Sequence, residues 1–288
     1  GVYGSVSPQK IDIINAGEIK ILTVGDSHSC VLDDAGKVYC WGSGEYGQLG
    51  NGSNEKNMVP VDVDMNCVMK DKKIVGLTSG EYHSCALDDS GGIYCWGKND
   101  EGQLGNGTTE DSSVPVAVDL SMLPENTSFT FISAHQSNTC ALDSDGKGYC
   151  WGHASCDENG NRSDEDALVP AKVNNNLSDI KFVSITSRGA IDTEGVVHMW
   201  TYGYYRAYGN SDMTDELAYM KKKWVSLAPG YWHSCILDNE GEIYCWGDDF
   251  YGELGNGEDK EESCDGNLCN SPIAVFSDGD LKEKYIVF

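Results

Sequence analysis

The 288-residue chain has little positive charge and no long apolar run. It contains 20 lysines and arginines against 46 aspartates and glutamates, which gives a formal net charge of −26. Phosphate groups repel such a surface, and no basic stripe interrupts it, so nucleic acids and anionic membranes are poor partners. Neither a signal peptide nor a transmembrane run is present, and we expect no direct membrane insertion.

Helical periodicity and catalytic motifs are also missing. No segment sustains the apolar spacing of about 3.6 residues that marks a helix, which favours an all-β chain. Serines are plentiful, but none sits in a nucleophile elbow or beside a recognisable histidine–carboxylate pair. The sequence therefore predicts no catalytic residue, no enzyme activity and no cofactor.

Cysteine, by contrast, is abundant and regularly placed. Of the 12 cysteines, eight fall in a recurring phrase in which two cysteines are followed by Trp-Gly. The pairs are Cys30/Cys40, Cys85/Cys95, Cys140/Cys150 and Cys235/Cys245. A fifth copy ends at Trp200 and has Gly189 and Met199 at the cysteine positions. A phrase that recurs about every fifty residues indicates stacked structural units, and the joint loss of two cysteines is expected for the halves of one disulfide.

Each phrase indicates a β-hairpin in which the two cysteines are directly opposed. If Cys30 faces Cys40, residues 34–36 form a three-residue loop whose last position is left-handed, where glycine is favoured. All five copies have glycine there: Gly36, Gly91, Gly146, Gly195 and Gly241. This register puts both sulfurs on one face within bridging reach, and it predicts four disulfides. Zinc is disfavoured because each hairpin offers only two thiols.

Four cysteines lie outside the hairpins. Cys264 and Cys269 are close together in an acidic loop, and we expect them to form a fifth disulfide. Cys67 and Cys156 both lie in loops, where pairing with each other and free or intermolecular thiols remain open alternatives. So many cysteines are ordinary in an oxidising compartment and unusual in a reducing cytosol.

The hairpins have apolar residues on both faces, which predicts sheets sandwiched between neighbouring sheets, as in a β-propeller. A β-rich run precedes each hairpin, and in four repeats a proline-containing strand follows that indicates the outermost of four strands. The predicted repeats are 19–65, 73–120, 129–174, 180–220 and 224–276. We expect one domain over 1–288, in which 1–13 and 285–288 form a partial closing blade of a ring of six or seven blades.

Loop and strand motifs add a resemblance to a known family. Gly-Gln-Leu-Gly-Asn-Gly at 47–52 and 102–107, its variant at 252–257, and the Tyr-Cys-Trp-Gly strands resemble repeats of the regulator of chromosome condensation family. The resemblance covers nearly the whole chain and implies a β-propeller, usually of seven blades. Its members include a nuclear exchange factor, bacterial β-lactamase inhibitors, receptor ectodomains and ubiquitin-ligase modules, so it implies little about activity.

Two groups of residues could bind a metal ion or could have purely structural roles. The resemblance implies that His28, His83 and His233, in Gly-x-x-His-Ser segments, are structural turn histidines. Residues 157–163 have the alternating oxygen ligands of a calcium loop, but Arg162 stands where the sharp turn needs glycine. The sequence therefore predicts no metal site.

Five glycosylation sequons fall in predicted loops. They begin at Asn51, Asn106, Asn126, Asn161 and Asn176. Asn51 and Asn106 also belong to Gly-Asn-Gly turns that the fold uses anyway, so a purely structural role stays open for both. With the disulfides, the sequons favour a secreted or cell-surface glycoprotein carrying N-linked glycans.

The fourth repeat replaces its glycine-rich loop with a tyrosine-rich segment. Tyrosine and arginine are favoured in protein interfaces, and we take as the candidate interface Tyr202, Tyr204, Tyr205, Arg206 and Tyr208. The alternative is that these tyrosines fill space left by the missing disulfide.

The favoured function is a non-catalytic protein-interaction or assembly module, for instance in an extracellular filament or coat. Its partners would be proteins, including further copies of itself. One alternative is a carbohydrate-binding propeller, and another, by family analogy, is an enzyme inhibitor or exchange factor.

Overall fold

The structure, a computed structural model, describes residues 10, 11, 13–66, 68–153, 165–173, 180–200, 211–230, 232–255, 264, 265 and 268–275. These residues form five antiparallel sheets that follow one another along the chain. The sheets are the blades of a β-propeller, numbered here from 1 to 5. The fold is therefore all-β, as the sequence predicts.

In blades 1 to 3 the four strands follow in chain order from the inner strand outward. Blade 1 contains β1 (Ile19–Val24), β2 (His28–Asp33), β3 (Val38–Gly42) and β4 (Asn57–Asp62). Blade 2 contains β5 (Ile74–Ser79), β6 (His83–Asp88), β7 (Ile93–Gly97) and β8 (Ser112–Ala117). Blade 3 contains β9 (Phe129–His135), β10 (Asn138–Asp143), β11 (Gly148–Gly152) and β12 (Ala167–Lys172).

Blades 4 and 5 depart from this pattern. Blade 4 contains β13 (Phe182–Ile185), β14 (Gly189–Asp192) and β15 (Val197–Met199), followed by the helix α1 (Ser211–Tyr219). Blade 5 contains β16 (Trp224–Pro229), β17 (His233–Asp238), β18 (Ile243–Asp248), β19 (Cys264–Asp265) and β20 (Leu268–Ala274). The proline-containing strand β20 is not outermost there, because β19 pairs with its outer edge.

The hairpin register agrees with the prediction from the cysteine spacing. Cys30 faces Cys40, and the equivalent pairs are opposed in blades 2, 3 and 5. Disulfides join Cys30–Cys40, Cys85–Cys95, Cys140–Cys150 and Cys235–Cys245. The five loop glycines have φ between 80° and 86°, the left-handed conformation that explains why glycine recurs there.

The core lies between neighbouring blades. In blade 1, Cys40, Leu49 and Val63 pack in one buried cluster with Tyr94 and Trp96 of blade 2. Similar clusters join blade 2 to blade 3, blade 3 to blade 4, and blade 4 to blade 5. Burial on both faces of the hairpin strands is thereby explained: the aromatic face of blade 2, for example, packs against blade 1, and its disulfide face packs against blade 3.

The helix α1 is a short departure from the otherwise all-β structure of the described residues. Its nine residues make little more than two turns, too short for a sustained apolar period. Leu217 is buried between blades 4 and 5, in a cluster that also contacts Met199. A Cβ at Gly189 would lie 2.8 Å from the Met199 sulfur. Met199 therefore fills the space that a disulfide occupies in the other hairpins.

The described part of blade 5 has a cavity on its disulfide face. Its volume is about 310 Å³, and its lining includes Cys245, Leu254 and Val275. In blade 1 the equivalent residues are covered by the next blade. The segments predicted to close the ring lie almost entirely outside the described residues, so ring closure and the number of blades stay predictions.

Candidate functional site

One end of the blades is built from loops that are held together and exposed to solvent. It carries the turns between the first and second strands and the loops between the third and fourth strands, and we call it the loop face. Backbone bonds tie each turn to its loop: Ser43 N–Ser27 O (2.8 Å), Lys98 N–Tyr82 O (3.0 Å), His153 N–Ser137 O (3.1 Å) and Asp248 N–Trp232 O (3.0 Å). The loop face therefore starts from a fixed backbone scaffold.

The glycine-rich loops lock neighbouring blades together at this face. The Trp96 indole donates to the Gln48 carbonyl oxygen at 3.0 Å, so the loop of blade 1 lies under the tryptophan of blade 2. Trp151 makes the same 3.0 Å bond to Gln103. Gly50 has a φ of 66°, and a Cβ there would lie 2.8 Å from the Trp96 indole nitrogen. Glycine is therefore required both for conformation and for close approach.

Two turn histidines bridge blades from buried positions. The His28 Nε2 lies 2.8 Å from the Ser84 hydroxyl, and the His83 Nε2 lies 2.8 Å from the Thr139 hydroxyl. Burial lowers the pKa of His28 to about 4 and that of His83 to about 3, so both rings are neutral at physiological pH. Their Nε2 atoms are engaged with hydroxyls of the next blade rather than turned towards a common centre.

An aromatic and charged cluster lies on the loop face at blades 1 and 2. The rings of Tyr46 and Tyr82 have centroids 5.3 Å apart, and the Lys98 ammonium lies 5.6 Å and 5.9 Å from the two centroids. Burial and the nearby Asp26 carboxylate raise the pKa of Glu81. The cluster combines aromatic surface with carboxylates, a composition suited to polar protein interfaces.

A second polar contact crosses from blade 2 to blade 3. The His153 Nδ1 lies 3.1 Å from a Glu101 carboxylate oxygen and 3.3 Å from one of Asp166. Glu101 belongs to the glycine-rich loop of blade 2, whereas Asp166 immediately precedes β12. The contact therefore fixes the relative positions of two loops on the loop face.

Among the described residues of this face, the most exposed aromatic pair belongs to blade 5. Phe250 is 62% exposed and Tyr251 is 86% exposed, with ring centroids 4.8 Å apart. Residues 252–257 match the family motif, and the Phe250–Tyr251 pair in front of that motif was not predicted as a site from the sequence. The signal was available: the loop tip reads Glu45-Tyr46 in blade 1 and Asp100-Glu101 in blade 2, but Phe-Tyr in blade 5.

The predicted interface in blade 4 cannot be compared with this pair. Tyr202, Tyr204, Tyr205, Arg206 and Tyr208 lie outside the described residues, as do Asn161, Asn176, Cys67 and Cys156. Cys269 is disulfide-bonded, and the backbone register places Cys264 directly opposite it. Their pairing with each other stays a prediction.

The three described sequon asparagines differ in their surroundings. Asn126 is exposed in the loop before β9. Asn51 accepts a hydrogen bond from the Ser53 backbone at 3.1 Å, and Asn106 accepts from the Thr108 backbone at 3.2 Å and hydroxyl at 2.9 Å. Asn51 and Asn106 thus have the turn role that the sequence left open for them.

One acidic group has metal-ligand spacing but already holds a cation. Asp238, Glu240 and Glu242 converge at the hairpin turn of blade 5. The Lys222 ammonium lies 2.6 Å from carboxylate oxygens of Asp238 and Glu242, so an ion pair occupies the centre of the group. Elsewhere in the fold, α1 is the helix that the described residues form, and it is neither long nor apolar enough to cross a membrane.

Comparisons with known proteins agree with this architecture. Residues 3–281 match the RCC1-like domain family. The ultraviolet-B receptor UVR8 of Arabidopsis thaliana is 28% identical over 286 residues, which cover 96% of this chain and 62% of UVR8. The chain thus spans less than two thirds of that relative.

Two solved structures share the fold at low sequence identity. Human WBSCR16 has a TM-score of 0.73 at 20% identity, over 91% of this chain and 68% of that chain. Yeast RCC1 (Prp20), solved in complex with Kap60, has a TM-score of 0.53 at 20% identity, over 95% of this chain and 52% of that chain. Because the family match extends over nearly all of its residues, the chain belongs to the RCC1-like domain family of β-propellers.

Proposed function

We propose that the chain is a non-catalytic protein-interaction or assembly module of a secreted or cell-surface protein. The observation that carries this proposal is the loop face, where a fixed backbone scaffold presents aromatic rings among carboxylates. Ordering such loops in advance reduces the entropy lost on binding. Yeast RCC1, which shares the fold, was solved with a protein bound, and this supports a protein as the partner.

The contacts that the described polar side chains make favour structural roles over catalytic roles. His198 and Asp192 form a histidine–carboxylate pair at 2.8 Å, which could suggest a catalytic dyad. However, His198 occupies the position of Tyr94 and Tyr149, which donate to the equivalent aspartates of blades 2 and 3. The pair is therefore a variant of a repeated structural contact.

The disulfides and one accessible sequon support a secreted or cell-surface location. Four disulfides are typical of extracellular proteins. Asn126 is exposed and accessible to a glycosyltransferase, whereas Asn51 and Asn106 are half-buried in turns. In a eukaryotic secretory host, Asn126→Gln should lower the mass of the purified protein by one glycan. Asn106→Gln serves as the matched control, and a mass change confined to that control would contradict the structural assignment.

Cross-linking on intact source cells tests the proposed function. A membrane-impermeant reagent that joins carboxylates to amines should capture this chain with a defined extracellular protein, which is then purified and its affinity measured. Failure to label the chain from outside contradicts the location. Labelling without any protein partner that binds the purified, oxidised chain contradicts the interaction role.

A carbohydrate-binding role is the second candidate, and one observation favours it. Exposed aromatic rings beside carboxylates, as at Phe250, Tyr251 and Asp249, also suit sugar recognition. A glycan array separates the two functions. Saturable binding of a defined glycan, together with no measurable protein partner, would favour the carbohydrate alternative.

A further inference from the structure

The loop at residues 248–255 of blade 5, here called the aromatic loop, differs from its equivalents in blades 1 and 2 by having an aromatic residue at its exposed tip. In blade 1 the corresponding Tyr46 packs against Tyr82, with ring centroids 5.3 Å apart. In the aromatic loop, Tyr251 is 86% exposed and contacts Phe250 edge to face. The tip position held by Phe250 is also exposed in blades 1 and 2, where it is Glu45 and Asp100. Exposure at the tip is therefore common to these loops, and the aromatic residue there distinguishes blade 5 from blades 1 and 2.

The aromatic loop is held in place by its own carboxylates and by one buried anchor. Asp249 accepts the Leu254 backbone N–H at 2.9 Å, and Glu253 accepts the Tyr251 backbone N–H at 2.8 Å. Asp248 accepts the Phe250 backbone N–H at 3.2 Å, and the Leu254 side chain is fully buried. These bonds fix the backbone that carries both rings, so binding would not have to order it.

The electrostatics of the aromatic loop select for a cationic ligand. Asp248, Asp249 and Glu253 give the loop that carries the two rings three carboxylates, and residues 248–255 contain no lysine or arginine. The chain as a whole carries a net charge of −26, which would repel phosphate groups and acidic peptides. Aromatic faces and carboxylates together attract cations by two independent interactions.

Arginine matches this combination better than lysine does. Its planar guanidinium stacks on an aromatic face while donating parallel hydrogen bonds to a carboxylate, whereas the lysine ammonium is a compact, strongly hydrated charge. We propose that the aromatic loop binds an arginine-rich segment of a protein partner through Phe250, Tyr251 and the neighbouring carboxylates. This inference rests on the proposed function and names the chemistry of the partner.

The test uses a fluorescent arginine-rich peptide and a twin in which every arginine is lysine. Binding to the oxidised chain is measured by fluorescence anisotropy at increasing salt concentrations. Tyr251→Ala and Phe250→Ala should each weaken binding about tenfold. Tyr219→Ala is the matched control, because Tyr219 is also 86% exposed but lies on α1, and it should leave the affinity unchanged.

A charge variant separates electrostatics from stacking. Asp249→Asn keeps the oxygen that accepts the Leu254 N–H but removes the charge, so it should weaken binding at low salt and flatten the salt dependence. Equal affinities of wild type and Tyr251→Ala, or an equal loss in Tyr219→Ala, overturn the proposal. Equal binding of the lysine twin overturns the assignment of arginine.

Failure of this inference can be distinguished from failure of the proposed function. If a partner captured on cells binds wild type and Tyr251→Ala equally, the aromatic loop is not its docking site, although the interaction role stands. If wild type has no protein partner, the interaction role itself fails. Thermal unfolding of each variant verifies that substitution of these exposed rings leaves the fold intact.

Discussion

At the scale of single residues, one aspartate recurs in all five hairpins as a buried cap of the turn. In blade 2, Asp88 accepts the backbone N–H groups of Ser90 at 2.8 Å and Gly92 at 2.9 Å. The equivalent residues make the same pair of bonds: Asp33, Asp143, Asp192 and Asp238. Part of the net negative charge is therefore structural, because these carboxylates replace missing backbone partners in the turn.

Replacement of Asp88 by alanine should destabilise the fold. The variant would leave two turn N–H groups and the Tyr94 hydroxyl without their acceptor, and we expect a loss of about 2–3 kcal/mol in the free energy of unfolding. The contact with Lys72 adds little, because that side chain is exposed. Asp89→Ala, at the exposed neighbouring position, is the control, and denaturant unfolding giving equal losses for both variants would contradict the cap.

The free energy of unfolding should change with pH in two separate windows, an upper one and a lower one. Burial lowers the pKa values of His28 and His83 from 6.5 to about 4 and about 3, so below 6.5 the unfolded chain binds protons that the folded chain does not. Stability should therefore fall as the pH decreases from about 6.5 to about 4.

The hairpin aspartates account for the lower window. Burial would raise the pKa of Asp88, but hydrogen bonds from Ser90, Gly92 and Tyr94 outweigh it and lower the pKa. The pKa of Asp33 is also lowered against burial, by backbone hydrogen bonds, and that of Asp238 is lowered by the Lys222 ammonium and by backbone hydrogen bonds. Their stabilisation is complete above about pH 4 and is lost below it. Unfolding free energies measured at a series of pH values test both windows. His83→Gln should reduce the slope of the upper window, and a wild-type stability that is constant from about pH 6.5 to about pH 4 would contradict it.

At the scale of elements, each hairpin depends on a cross-strand disulfide except in blade 4. There, Gly189 faces Met199 in the same register, and Met199 and Leu217 provide apolar packing instead. The blade thus replaces a covalent link by side-chain burial and a short helix. This substitution shows that the disulfide contributes stability to a register that the strands already define.

Removal of a single disulfide should therefore weaken the fold without abolishing it. Cys85→Ala combined with Cys95→Ala should reduce the free energy of unfolding by about 2–3 kcal/mol, because the closed loop is short. Denaturant titrations of wild type and the double variant should differ under oxidising conditions and converge in strong reductant. A difference that persists unchanged in reductant would contradict the disulfide as its cause.

The hairpins could be predicted from sequence, whereas α1 and the contacts between loops of neighbouring blades could not. Gly36 and its equivalents mark a left-handed turn position, which fixes the register and hence the opposed cysteines. The helix α1 gives no such signal, because its burial between blades rests chiefly on Leu217 and depends on packing from elsewhere in the chain. The Phe-Tyr tip at 250–251 can be read from the sequence, but the packing of the equivalent Tyr46 against Tyr82 joins two blades and is seen only in three dimensions.

At the scale of the whole molecule, the two ends of the blades have different roles. The aspartate-capped turns lie at one end, where their carboxylates are occupied by backbone groups and by partners such as Tyr94 and Lys222. The opposite end is the loop face, where Tyr46, Phe250 and Tyr251 lie among carboxylates. One end of the propeller thus terminates the hairpins, and the other end carries the surface that we propose for recognition.

The central claim is that a protein partner binds the loop face. Hydrogen–deuterium exchange of the oxidised chain, free and bound to the partner captured on cells, tests it most directly. We expect added protection in loops 43–56, 98–111 and 248–255, and unchanged exchange in the hairpin turns at 34–36, 89–91 and 239–241. Protection confined to those hairpin turns, or no protection at saturating partner, would contradict the claim.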